Sequence, residues 1–362
     1  MRSPFPRVAS FRAARPVADY LAEQGWRLPC DDEIELAPAS PLARPLEIPW
    51  SNGRFTIGNR FAVQPMEGWD GEPEGCPSEL TRRRWLRFAK SGAKLIWGCE
   101  AVAVLPEARA NPNQLFLGER TARSFELLLR QMRKAHRERF GGDSDLLIGL
   151  QLTHSGRFCR PHEKDRLEPV ILYHHPVLDA KFGVQSGHEP ASDAEIERII
   201  GAFGVAATLA RESGFDFIDL KHCHGYLGHE FLSAHSRAGP YGGSFANRTR
   251  FLREVVARTR DSAKGLEIGV RLSAFDSVPF EPDRQGGPAR PVCAPHLEPY
   301  CWGFGLDPDH PSEPDLTEAK LLVKLLASIE VRLVNISASS PYYAPHLQRP
   351  ALFPPSDGYP PP

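Results

Sequence analysis

From about residue 46 the apolar positions fall into blocks of two kinds. Short runs, apolar at nearly every position, alternate with longer stretches in which apolar residues recur every three or four positions. The pattern starts with "LEIPWSNGRFTIGNRF" (46–61), two alternating runs around Asn52-Gly53, which predicts a hairpin. "FAVQPM" (61–66) predicts a strand ending in a loop, and "SELTRRRWLRFAKSG" (78–92) a helix stopped at Gly92. "AKLIWG" (93–98) reads as a strand, "TARSFELLLRQMRKAHRERF" (121–140) as an amphipathic helix, and "DLLIGLQL" (145–152) as a buried strand. "SDAEIERIIGAFGVAATLARESG" (192–214) predicts a helix, with Ser192 three residues before Glu195 as a capping box. "FDFIDLK" (215–221), "LEIGVRLSA" (266–274) and "VRLVNISA" (331–338) predict strands. Helices are expected over 247–263 and 315–330.

Six strands alternating with helices, apolar on both faces, predict an α/β fold with a parallel sheet. Long polar loops follow the strands and short ones precede them, the signature of a TIM (β/α)8-type barrel. An open doubly wound sheet is the weaker option, because no G-x-G-x-x-G follows the first strand. Six of the eight barrel units are visible, so an incomplete barrel is expected, with the hairpin at its bottom. We divide the chain into an N-terminal extension (1–45) with one short helix near Val17–Gln24, a partial barrel domain (46–340) and a Pro-rich tail (341–362). Eight of the 24 residues from Ser339 to Pro362 are proline, which excludes a helix or inner strand there. Two barrel units are therefore missing from view, and the expectation is that residues 1–362 alone bind cofactor weakly and need further C-terminal sequence or a completing partner.

Composition narrows the function classes. The 362 residues are 41% hydrophobic and 25% charged with net charge -1, so no field of either sign recruits nucleic acid or an anionic membrane. No apolar run approaches a membrane span, and the basic N-terminus lacks the apolar core of a secretory signal. Seven cysteines stand singly with no C-x-x-C pair, which argues for a reducing compartment, by default the cytoplasm. The oligomeric state is left open.

The chemistry-bearing residues cluster just after strands: Gln64 to Glu67, Cys99-Glu100-Ala101, "QLTHSGR" (151–157), "DLKHCHGYLGHEFLS" (219–233) and Arg271 in "VRLSAFD". Three histidines and a cysteine in 219–233 raise the question of a metal. Structural zinc ligands come in spaced pairs matched by a second pair, and none stands out here. Consecutive side chains on a strand end point to opposite faces, so Cys223 cannot easily join His222 and His224. No metal site is expected. His222 and His229 can equally be residues that hydrogen-bond a loop.

"NRFAVQPM", "QLTHSGR", "HGYLGHEFLS", "YGGSFANRTRFLREVV" and "VRLSAFD", in this order and spacing, resemble the Old Yellow Enzyme family of FMN-dependent ene-reductases over about residues 48–340. The resemblance implies a TIM barrel with FMN across its top and NADH or NADPH as reductant. It implies that Pro65 and Met66 lie against the flavin, that Glu67 occupies a position near the flavin usually held by Thr or Cys, and that Ala101 is near its O4 edge. It further implies that Gln151 meets the pyrimidine, and that Arg271 sits near N1 and O2, where positive charge stabilises the reduced ring. Lys221 and His224 match the pair of donors for a substrate carbonyl, with lysine replacing the usual histidine, and Tyr226 matches the tyrosine that protonates the substrate. The implied reaction carries hydride from the nicotinamide through flavin N5 to an α,β-unsaturated carbonyl or related small molecule. A catalytically inactive barrel acting as a binding module and a metal-dependent barrel hydrolase are the alternatives.

Overall fold

A computed structural model describes residues 6–344 except 7, 30, 32, 52, 282–289, 293–296 and 298. Asn52 of the expected turn, Cys30, Cys293 and the Pro-rich tail beyond 344 lie outside the described residues. The helix expected near Val17–Gln24 is α1 (Ala14–Glu23), within the N-terminal extension.

The expected hairpin is β1 (Leu46–Trp50) paired antiparallel with β2 (Gly53–Ile57). The expected strands follow as β3 (Ala62–Val63), β4 (Leu95–Ile96), β6 (Leu147–Thr153), β7 (Phe217–His222), β8 (Glu267–Ser273) and β11 (Leu333–Ser337). All are parallel, in the order β11-β8-β7-β6-β4-β3. One strand differs from expectation: β5 (Ala101–Ala103) pairs farther along β6 than β4 does. Cys99, at φ 52°, kinks the chain out of the ladder between them, so β4 and β5 are two pieces of one barrel stave. The described sheet therefore has six staves, as the pattern predicted.

Helices α2 (Glu79–Ala89), α3 (Glu119–Phe140), α5 (Asp193–Ser213), α8 (Arg250–Ser262) and α9 (Thr317–Ser328) alternate with these staves. Local signals set their ends. Ser78 Oγ accepts from the Leu80 and Thr81 amides at 3.1 and 3.3 Å, and Ser192 accepts from Glu195 at 3.2 Å. Gly141 and Gly214 end α3 and α5 in the left-handed conformation. The sheet's outer face and these helices bury one large core that includes Trp85, Phe125, Ile148, Leu220, Phe251 and Leu322. Four shorter pieces were not apparent from the pattern: α4 (Pro176–Phe182), α6 (Leu227–Leu232), α7 (Phe245–Arg248), and the two-stranded β9 (Phe280–Glu281) and β10 (Arg290–Pro291).

The hairpin closes the bottom. Ile57 is buried with Trp97, Leu147 and Phe217, and Ile48, Trp50, Phe55, Leu95 and Leu333 pack around them. Leu95, Leu147, Phe217 and Leu333 are each the first residue of their strand, so the plug sits at the N-terminal end of the barrel. At the opposite end the two outer strands approach each other: Asn335 Nδ2 of β11 donates to Gln64 Oε1, just after β3, at 2.5 Å. Among the described residues no helix is long and apolar enough to cross a membrane.

Candidate active site

Register decides which side chains meet. Gln151, Asp219, Gly269 and Leu333 are partners across β6, β7, β8 and β11. Two residues farther along, on the same face, Lys221, Arg271 and Asn335 are partners. These two layers succeed one another along the barrel interior, the second nearer the C-terminal ends of the strands. The next residue, His222, points the other way: its ring lies 6.0 Å from Phe251 of α8 and is buried. Burial drops its pKa to about 4.

After His222 the chain turns sharply. His224 (φ 64°) and Gly225 (φ 77°) are both left-handed. At Gly225 a Cβ would stand 2.9 Å from the Tyr343 ring, so both conformation and space call for glycine there. The turn is tied down: the His224 amide donates to Ser273 Oγ at 3.1 Å, the Gly225 amide to His229 Nδ1 at 2.8 Å, and the Leu227 amide to the His154 carbonyl at 3.1 Å. Glu230 of α6 accepts from buried Arg157 and from the Leu172 amide. In "HGYLGHEFLS", then, His229 and Glu230 fix the loop, and Tyr226 is the residue the loop delivers.

Tyr226 is fully buried and its hydroxyl donates to Glu67 Oε2 at 2.7 Å. Lys221 Nζ bonds Glu67 Oε1 at 2.7 Å and lies 3.4 Å from the centre of the Tyr226 ring. Trp69 Nε1 donates to the same carboxylate at 3.0 Å, and Tyr342 places its hydroxyl 2.9 Å from that of Tyr226. Burial first, then the Glu67 charge, holds the Tyr226 phenol well above its usual range. Glu67 is positioned by its own loop: the Gly68 amide donates to Glu100 Oε2 at 3.1 Å, and Asp70 bonds Arg84, which also pairs with Glu100.

His224 stands apart from this cluster. Its Nε2 lies 2.8 Å from Ser337 Oγ at the end of β11. Burial, with the Arg271 and Lys221 charges nearby, holds its pKa well below the usual histidine value, so the ring is neutral. The structure thus brings Lys221, Glu67 and Tyr226 together and sends His224 to a separate partner.

The residues expected to hold a flavin share one mouth. Gln151 is buried and donates to Asp219 Oδ2 at 2.5 Å. Pro65 and Gln151 crowd Gly98 from two sides, where a Cβ would lie 2.9 Å from Gln151 Cβ and 3.1 Å from Pro65 Cβ. Arg271 Nη1 reaches the Pro65 carbonyl at 3.4 Å, while its buried Nε has no partner among the described residues. Met66 is 71% exposed beside this mouth, and Ala101 is buried. An amide, a guanidinium with unused donor capacity and an uncovered apolar side chain fit the polar edge and apolar face of an isoalloxazine. Among the described residues no group of three or more His, Cys, Asp or Glu is placed to hold a metal. Three contributors carried no sequence signal: Trp69, Ser337 and Tyr342 lie in loops or at a strand end. Asp219 did, as an acid in the middle of an apolar strand. Burial raises its pKa to about 6.

The family model for the NADH:flavin oxidoreductase / NADH oxidase family matches residues 44–284. The chain belongs to that family. It is 34% identical over 241 residues to an NADPH dehydrogenase of Bacillus velezensis and 32% identical over 240 residues to one of Bacillus subtilis. Each match covers 65% of this chain and 65% of the relative, so the chain spans about two-thirds of the length of the relatives it matches. Among solved structures, the Old Yellow Enzyme from Pichia sp. AKU4542 superposes with a TM-score of 0.59 at 20% identity, covering 82% of this chain and 71% of that one. A 2-naphthoyl-CoA reductase superposes at 0.60 and 18% identity, covering 83% of this chain and 41% of that one. At such identities these likenesses support the fold, an α/β barrel of the TIM type.

Proposed function

We propose that this chain is an FMN-dependent oxidoreductase that uses NADH or NADPH to reduce a neutral α,β-unsaturated carbonyl. The observation that carries the reading is the buried Tyr226 hydroxyl, held as a donor in one mouth with Gln151, Arg271, Pro65 and Met66. Bound FMN would supply hydride taken from the nicotinamide. Gln151 and Arg271 would hold the ring's polar edge, and Arg271 would place fixed positive charge beside it.

The remaining steps fall to the chain itself. His224 is neutral and has one N–H to donate; in the tautomer that carries it on Nε2, a substrate carbonyl would compete with Ser337 for that bond. Lys221 is matched by Glu67, so the pair leaves no net charge to attract a carboxylate, and this favours an uncharged substrate. Tyr226 keeps its proton until a developing carbanion takes it, because burial and Glu67 both oppose the phenolate. The substrate's arrival must draw the hydroxyl away from Glu67.

The test separates the two half-reactions. In FMN-loaded protein, Tyr226→Phe is expected to slow oxidation of the reduced flavin by cyclohexenone by about 10²–10⁴-fold, with reduction by NADPH nearly intact. Equal slowing of both would make Tyr226 a structural residue and remove the reading. Absence of both half-reactions in the unaltered protein would favour a binding module.

A further inference from the structure

Tyr226 is buried, so a proton given to substrate must be replaced through a neighbour. Among the described residues, three groups touch its ring or hydroxyl with exchangeable protons or a place for one: Glu67, Lys221 and Tyr342. Lys221 lies over the ring face and is bonded to Glu67, not to the hydroxyl. Glu67, paired with that ammonium, is an acceptor and takes the one proton of Tyr226. The short contact between the two phenols is then directional: Tyr342 must be the donor and Tyr226 the acceptor. Their rings stack at 5.9 Å and 18°, which holds the hydroxyls together. Tyr342 as a residue is half-buried, unlike Tyr226, although burial is the first influence on its phenol group. The Arg160 guanidinium is close enough for its charge to act on Tyr342, and its buried Nε has no partner among the described residues.

We propose that Tyr342 relays solvent protons to Tyr226, acting through it as a positioning and relay residue. The proposal rests on the reading of Tyr226 as proton donor. As Tyr226 protonates the substrate α-carbon, its O–H bond breaks and a C–H bond forms. The phenolate oxygen takes the Tyr342 proton, and Tyr342 takes one from water at the rim. One solvent proton enters per turnover and both phenols return to their starting state. Arg160 stabilises the transient charge on Tyr342.

Hydroxyl exchange tests this in the cofactor-free protein. Tyrosine labelled with 13C at Cζ reports the exchange of each hydroxyl proton, and the Tyr226 signal is assigned by its loss in Tyr226→Phe. Tyr342→Phe keeps the ring and is expected to slow exchange at Tyr226 at least about tenfold. A looser fold would speed it instead, so unchanged or faster exchange overturns the relay. Slowing by Glu67→Gln but not by Tyr342→Phe would overturn it in favour of the carboxylate. In FMN-loaded protein the solvent isotope effect on cyclohexenone turnover is expected to rise in Tyr342→Phe. If exchange slows there while Tyr226→Phe leaves enone reduction intact, the path exists but the reading of Tyr226 fails.

Discussion

At the scale of residues, Glu67 and Lys221 are the feature that sets this site apart from the pattern it resembles. Each looked anomalous alone, a carboxylate where a flavin must become anionic and a flexible cation where a planar donor is usual. They neutralise each other at 2.7 Å, with only 8% and 6% of their side chains exposed. Breaking a buried pair from one side leaves an uncompensated charge and costs about 3–5 kcal/mol, whereas removing both together costs much less. Urea unfolding of Lys221→Met and Glu67→Gln should therefore show large losses singly and a smaller one combined. Additive losses would mean that the two charges do not depend on each other. The motif residues of this site were legible because each stands at a strand end in a specific string. The pairing was not, because 154 positions separate its members and neither residue type announces a partner.

At the scale of elements, the strands and long helices were legible because apolar periodicity dictates them directly. The breaks were not. Cys99 divides one stave, and the left-handed His224 turns the chain away just after β7. A positive φ on a residue with a side chain is imposed by tertiary contacts, here Ser273 and Ser337 around His224. The turn is also where function is most exposed to backbone strain. Gly225→Ala adds a Cβ at φ 77° against Tyr343, so it is expected to destabilise by about 2 kcal/mol or more and to lower Tyr226-dependent enone reduction with it. Urea midpoints together with the oxidative half-reaction check both. A stable variant with full activity would show that the turn tolerates repacking.

For the whole molecule, buried histidines dominate the response to acid. Burial holds His154 and His229 at about 3 and His222 at about 4, and His175 and His224 are also well below the usual value. These groups bind protons more readily when unfolded, so their stabilising contribution is present above about pH 6.5 and is lost as pH falls below it. Asp219 and Asp276 have the opposite sign: burial raises them to about 6 and about 7, so they favour folding at lower pH and lose that contribution as pH rises through those values. From pH 7 to 5.5 His154, His229 and His222 lose up to about 4 kcal/mol and the two acids regain about 3, at about 1.4 kcal/mol per unit for each group, and His175 and His224 act in the same direction as the other histidines. The urea midpoint should therefore fall across that interval; a flat or rising midpoint would contradict it.

The fold reading also predicted a six-stave barrel with a plugged bottom, and the sheet order and the packed hairpin agree. The approach of its outer strands through Gln64 and Asn335 was not legible, because it depends on how far the sheet curls. The site depends on this curl, since Gln64 leads into Pro65 and Asn335 lies beside Arg271. The most direct test of the account is an FMN titration of the purified chain followed by the flavin's visible spectrum. The account predicts a saturable spectral change whose Kd rises at least about tenfold in Arg271→Ala, the loss of one charge-assisted contact. No spectral change at saturating FMN, or an equal Kd in the folded variant, would contradict it.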